Sequence, residues 1–208
     1  MTLRVLSARP FEIGSSGWTA DDLRDPHIER QWDEGRYEII EGTLTKMAAA
    51  RYDGSRRLKR LTSIIEHNLR SLGRADEFVF EVDLILSPIR VPKADAILMT
   101  AADEQRQREE NARRGQPQYE FGRILVPPTI VIESLSEGHE RKDLTFKRQW
   151  YAEASIANYW ILDPLGRSLQ CLVLDEHFYR LDQSGNRDAV LRPAAFPGLE
   201  LRLADIWK

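Results

Sequence analysis

The stretch that decides the fold is PTIVIESLSEGHERKDLTFKRQWY, residues 128–151. Its first part, TIVIESLS, is rich in β-branched residues and predicts a strand. The part that begins at Arg141 predicts a helix that ends near Ala154. Glu133 interrupts the apolar strand, and a carboxylate at such a position either points to water or has a partner. The identity of that partner indicates whether Glu133 has a structural or a functional role.

Further elements follow on both sides of this stretch. YEIIEGTLTKM, residues 37–47, predicts a hairpin that turns at Glu41 and Gly42. Leucine and isoleucine at three- and four-residue spacing predict an amphipathic helix over residues 55–72 that ends at Gly73. WTADDLRDPHIERQW, residues 18–32, predicts a short helix with Thr19 as its N-cap. Further strands are predicted over residues 78–86, 94–99, 158–163 and 168–175.

Strands, helices and strands in this order predict a mixed α/β fold without doubly wound alternation. The charged, glutamine-rich residues 100–126 are predicted to be a mobile helix or an excursion from the fold. We expect an N-terminal extension over residues 1–17 and a single domain over residues 18–208.

The composition excludes several classes of protein. The net charge of −3 argues against a protein that coats nucleic acid through bulk electrostatics. Cys171 is the only cysteine and the N-terminus lacks a secretory apolar core, so we expect a cytoplasmic protein. The sequence contains no spanning segment and no glycine loop that would cradle a nucleotide phosphate. The four histidines have no ligand spacing, and only His139, close after Glu133, is worth testing as a metal ligand.

Two carboxylates are expected to meet in the sheet. Asp95 begins the strand ADAILM, and Glu133 lies near the end of TIVIESLS. If these strands pair antiparallel, the two acids become neighbours. Two close carboxylates repel each other, and Mg²⁺ is the natural compensating charge because it accepts a few carboxylate oxygens and keeps several waters. The alternative is that both acids lie at strand ends that face water.

A lysine on the following helix is the candidate cation for this pair. Asp143, Lys147 and Tyr151 are four residues apart and share one helix face. Lys147 could therefore orient or activate a water beside Glu133. In the alternative interpretation, Asp143 and Lys147 form an ion pair four residues apart on the helix. Tyr151, Tyr159 and Trp160 are expected to pack in the core rather than to stack on bases.

These motifs resemble a known family. YEIIEG, KADAILM, PTIVIESLS, DLTFKRQWYAEASIANYWILDP and FPGLELRLADIW are similar to the Uma2 family, also called DUF820. That family is a restriction-endonuclease-like group within the PD-(D/E)XK nuclease superfamily, and the similarity covers residues 19–207. It implies a restriction-endonuclease-like core, in which helices flank a central mixed β-sheet.

The resemblance also implies an activity and a set of site residues. It implies a metal-dependent endonuclease that hydrolyses DNA phosphodiester bonds with Mg²⁺ or Mn²⁺, where Asp95, Glu133 and Lys147 are catalytic. The implied metal ligands are Asp95, Glu133 and Glu38. The superfamily lysine should lie two residues after Glu133, but Leu135 occupies that position, so Lys147 is the matching residue.

Two expectations concern partners. A basic cluster at the start of the helix over residues 55–72 could contact a DNA backbone without sequence preference; its members are Arg56, Arg57, Lys59 and Arg60. We also expect a homodimer, since one nuclease site cuts one strand. The alternatives are a catalytically inactive relative that binds DNA or protein, and an unrelated α/β scaffold whose acids face solvent.

Overall fold

The structure is a computed structural model that describes residues 9–47, 52–74, 76–115, 123–136 and 142–208, without the side chains of residues 142 and 143. The chain divides into two compact units. The first unit comprises Met1–Ala49 and Asp83–Lys93, and the second comprises Ala50–Val82 and Ala94–Lys208. The predicted boundary at residue 17 stays a prediction.

The first unit begins with a short 3-10 helix, Asp22–Arg24, followed by α1, Pro26–Asp33. Asp25 is the N-cap of α1 because its carboxylate accepts the His27 backbone N–H, and Pro26 fits the first helical turn, where a missing N–H costs nothing. The prediction of Thr19 as N-cap was therefore wrong. The Thr19 backbone N–H and hydroxyl instead donate to the Asp22 carboxylate, at 2.7 and 3.0 Å.

The predicted hairpin is confirmed in this unit. Strand β1, Tyr37–Ile40, pairs antiparallel with β2, Thr43–Lys46. The turn between them has positive φ at Glu41 and Gly42, which matches the right-handed strand twist. The core of the unit consists of the buried side chains of Trp18, Leu23, Ile28, Trp32, Ile39, Leu44 and Val91.

A mixed seven-stranded sheet is the centre of the fold, with strand order β5-β3-β4-β6-β7-β8-β9. Strand β6 pairs antiparallel with β4 and parallel with β7, and β7, β8 and β9 pair antiparallel in turn. The predicted mixed α/β fold is confirmed. The strands are β3 (Glu77–Leu84), β4 (Lys93–Met99), β5 (Arg123–Ile124), β6 (Ile130–Ser134), β7 (Asn158–Asp163), β8 (Ser168–Asp175) and β9 (Phe178–Asn186).

One sheet face is covered by the predicted amphipathic helix. This helix, α2, runs over Tyr52–Ser71 and ends before Gly73, whose φ is +75°. Its buried side chains form one apolar cluster with every second residue of the central strands, such as Ala96, Ile132 and Trp160. The same cluster includes residues from β10 (Val190–Leu191), β11 (Leu201–Arg202) and the short α5 (Ala204–Trp207).

Residues 101–113 form a helix that is held through polar contacts. Helix α3, Ala101–Arg113, starts with a capping box between Thr100 and Asp103. Its buried residues are all polar: Asp103, Gln107 and Asn111. The side-chain oxygen of Gln107, Oε1, accepts hydrogen bonds from the backbone N–H groups of Leu125 and Val126, at 2.9 and 3.3 Å. The stretch predicted as mobile or as an excursion is therefore a docked helix as far as residue 113, and residues 116–122 lie outside the described residues.

The last major helix is α4, Lys142–Glu153, close to the predicted span. None of the helices in the described part of the chain is long and apolar enough to cross a membrane.

Candidate active site

The two predicted acids lie on adjacent central strands. In the antiparallel pair of β4 and β6, Ala96 is opposite Ile132 and Ile97 is opposite Val131. The same register, continued by one residue, places Asp95 opposite Glu133. The Asp95 Oδ2 atom accepts the backbone N–H of Ser134 at 2.8 Å, which ties the carboxylate to the strand that carries Glu133. The predicted antiparallel pairing is confirmed, and the acids are neighbours.

Helix α4 supplies two donors to Glu133. The Lys147 Nζ atom lies 3.2 Å from Glu133 Oε1, and the Tyr151 hydroxyl donates to the same oxygen at 2.6 Å. Lys147 and Tyr151 are one helical turn apart, so both side chains reach the same point of the sheet. Glu133 and Lys147 are only 5% and 7% exposed, so this ion pair is nearly shielded from water. Glu133 therefore has the partner that its position in an apolar strand requires.

Lys147 is buried beside Glu133, and the alternative of an ion pair between Lys147 and Asp143 stays a prediction. The Asp143 side chain and all of His139 lie outside the described residues. Leu135, at the superfamily's usual lysine position, continues the sheet through its backbone N–H, which donates to the Leu162 carbonyl at 2.8 Å.

A cluster of tyrosines surrounds this pair. Tyr151, Tyr159 and Tyr179 form a chain of ring contacts, with centroids 5.3 and 5.6 Å apart. Burial raises the pKa of Tyr159 well above its ordinary value, and the negative charge of Glu133 raises it further. Burial also raises the pKa of Tyr179. All three are buried, as core packing predicts, but the hydrogen bond from Tyr151 to Glu133 was not predicted.

The donor chemistry of the acid pair fits a hard divalent ion. Mg²⁺ typically takes one or two protein carboxylates and completes its octahedron with water and substrate oxygens. Among the described side chains, which leave out those of residues 142 and 143, no three of His, Cys, Asp or Glu form a group that could hold a metal. Asp95 and Glu133, on adjacent strands, would be two carboxylate ligands for such an ion.

Glu38 lies in the first unit. Its carboxylate is buried and accepts the backbone N–H of Lys93 at 2.9 Å. The Lys93 Nζ atom lies 2.6 Å from Asp83, which also accepts the Trp32 indole N–H. Within this unit Glu38 therefore supports the entry to β4, and its role as a metal ligand stays a prediction.

The four basic residues predicted to contact DNA lie in the first turns of α2. Arg57 donates to the carbonyls of Ile206 and Lys208, at 3.1 and 2.7 Å, and Arg60 also donates to the Lys208 carbonyl. Arg56 and Lys59 are exposed. Arg57 and Arg60 thus have a structural role within the second unit, and the DNA contact stays a prediction for all four residues.

Comparison with known proteins agrees with this architecture. The family model described as "Uma2: Putative restriction endonuclease" matches residues 12–204. The crystal structure of "a putative nuclease belonging to DUF820" from Anabaena variabilis ATCC 29413 has a TM-score of 0.63 and 17% sequence identity to this chain, and the match covers 84% of this chain and 90% of that one. No curated protein matches. Because the family model spans almost the whole sequence, this chain belongs to the Uma2 family.

Proposed function

We propose that this protein is a metal-dependent endonuclease that hydrolyses DNA phosphodiester bonds, with Asp95, Glu133 and Lys147 as its catalytic residues. The observation that carries the proposal is the buried contact between Lys147 and Glu133, at 3.2 Å, on the strand next to Asp95. Strongly buried charges are rare away from functional sites because desolvation makes them costly. Membership in a family described as putative restriction endonucleases supports DNA as the substrate class.

Each residue has a defined task in this proposal. Asp95 and Glu133 would hold a Mg²⁺ or Mn²⁺ ion, and such an ion polarises the scissile phosphate and lowers the pKa of a bound water. The Ser134 N–H fixes the Asp95 carboxylate, and the Tyr151 hydroxyl fixes that of Glu133. Lys147 provides a positive charge that would stabilise the charge developing on the phosphate, or would hold the attacking water.

The test is cleavage of supercoiled and single-stranded DNA in Mn²⁺, Mg²⁺ or EDTA. Wild-type protein should cut only with metal, and Asp95→Asn and Lys147→Met should lower the rate by about 100-fold or more. Glu104→Gln is the matched control, because Glu104 is an exposed acid that pairs with Arg108 on α3 and should be dispensable. Equal cleavage by Asp95→Asn and wild type would refute this site.

A second candidate function is a catalytically inactive nuclease fold that binds DNA or protein. The two donors on Glu133 Oε1 favour it, because they already compensate the carboxylate that a metal ion would otherwise compensate. Folded wild-type protein that shifts DNA in a gel without cutting it in any metal would support this function. The predicted homodimer is tested separately by light scattering during size-exclusion chromatography.

A further inference from the structure

Tyr159 carries a buried hydroxyl that the proposed mechanism does not use. The residue is 0% exposed, and its hydroxyl has no hydrogen-bond partner among the described residues. The two neighbouring tyrosines differ, since Tyr151 donates to Glu133 and Tyr179 donates to the Ile156 carbonyl, each at 2.6 Å. A buried hydroxyl without a partner costs about 1–3 kcal/mol, and phenylalanine would fill the same space without that cost.

The side chain of Tyr159 lies on the sheet face that carries Glu133. In the parallel pair of β6 and β7, Tyr159 is opposite Val131 and Ile161 is opposite Glu133, so Tyr159 and Glu133 share one face. After burial, the negative charge of Glu133 is the largest cause that raises the pKa of the Tyr159 phenol, and Asp95 adds to it. The Tyr159 hydroxyl thus lies on the sheet face of Glu133 and within the field of both acids.

We propose that the Tyr159 hydroxyl oxygen is a positioning acceptor for a water that hydrates the divalent cation at Asp95 and Glu133. This inference rests on the proposed function, because it requires a cation there. Mg²⁺ and Mn²⁺ keep several of their waters when one or two carboxylates bind them, and those waters, whose oxygens are on the ion, need acceptors for their O–H groups. A buried hydroxyl oxygen without another partner suits this task because no other bond has to break first.

The test compares Mn²⁺ affinity by isothermal titration calorimetry without nucleic acid, for wild type, Tyr159→Phe, Tyr179→Phe and Asp95→Asn. Tyr159→Phe should weaken Mn²⁺ binding about tenfold, the size typical of outer partners of a metal site. Tyr179→Phe, the matched control, should leave the affinity unchanged because its hydroxyl is bonded to a carbonyl. Mn²⁺ should also perturb the near-ultraviolet tyrosine absorption, and the change should be smaller for Tyr159→Phe than for wild type and Tyr179→Phe, because only the contribution of Tyr151 beside Glu133 then remains.

The possible outcomes separate this inference from the function on which it rests. Wild-type Mn²⁺ binding that Tyr159→Phe leaves unchanged overturns the role of Tyr159 alone. Absence of Mn²⁺ binding to folded wild type overturns both the metal part of the proposed function and this inference. A Tyr159→Phe protein that is less stable than wild type in urea, or that does not fold, shows that the hydroxyl has a protein partner and also overturns the inference.

Discussion

The three clustered tyrosines give a graded test of the site, because removing one oxygen from each should have a different effect on stability. In Tyr151→Phe, Glu133 loses a donor at 2.6 Å, and hydrogen bonds to charged groups are worth about 1.5–3 kcal/mol. In Tyr179→Phe, a neutral carbonyl loses its donor, at a cost of about 0.5–1.5 kcal/mol. In Tyr159→Phe no bond is lost, so the free energy of unfolding should stay equal or rise by about 1 kcal/mol.

The assay is equilibrium unfolding in urea at pH 7. An equal slope m, the dependence of the free energy of unfolding on urea concentration, shows that the unfolded state is the same in each variant. All three changes remove the same atom from a buried ring, so the small void they leave affects each variant similarly and the order remains informative. The order of destabilisation should be Tyr151, then Tyr179, then Tyr159. A Tyr151→Phe variant as stable as wild type would refute the conclusion that this hydroxyl donates a stabilising hydrogen bond to Glu133.

A double-mutant cycle strengthens the first comparison. Glu133→Gln and Tyr151→Phe, alone and together, isolate the energy that couples the two side chains. We expect a coupling of about 1–2 kcal/mol, since the amide that replaces the carboxylate still accepts a weaker hydrogen bond. Additive effects would show that the 2.6 Å contact contributes nothing specific.

Three further predictions concern the fold. Gly42→Ala should destabilise the protein by about 1 kcal/mol in urea unfolding, because φ is +73° there and a residue with a Cβ is strained in that conformation; a stabilised variant would contradict this. Gln107→Leu should cost about 2 kcal/mol because the N–H groups of Leu125 and Val126 lose their buried acceptor, whereas the exposed control Gln105→Leu should change stability little. Stability should also fall above about pH 10: burial raises the pKa of Tyr159 and Tyr179 in the folded state, so only the unfolded chain releases these protons, at about 1.4 kcal/mol per group and pH unit. The stability contributed by these tyrosines is fully present below their pKa in the unfolded chain and is lost as the pH rises toward their pKa in the folded protein. A free energy of unfolding in urea that does not change between pH 9 and 11 would contradict this prediction.

The sequence predicted the acid pair and its lysine well, because periodicity determines which residues share a face. Alternation along a strand put Asp95 and Glu133 at facing positions, and helical spacing put Lys147 and Tyr151 on one side of α4. The bond from Tyr151 to Glu133 was missed because a tyrosine on a buried face matches core packing equally well. Only the four-residue spacing from Lys147 hinted at a polar role.

Two local features were not fully predicted, for physical reasons. A helix was one of the two predictions for residues 100–126, but its docking was missed, because α3 buries Asp103, Gln107 and Asn111 and its polar inner face gives no hydrophobic period to detect. Its capping box, Thr100 with Asp103, was the available signal. In the first unit, the Asp25–Pro26 pair marked the true start of α1, but the earlier Thr19 has the same capping chemistry and a run of acids behind it. Distinguishing two plausible caps requires tertiary contacts that the sequence does not specify.

The central position of β6 in the sheet determines how substitutions that destabilise the outer strands affect Glu133. Three strands lie on each side of β6. We therefore expect the backbone amide hydrogens of β6 to exchange with solvent only when the whole sheet opens. Backbone fluctuations that fray the outer strand β9 should therefore leave Glu133 in place. A variant weakened at the sheet edge should keep the geometry of Asp95, Glu133 and Lys147 in each folded molecule, and only the fraction of molecules that are folded should fall.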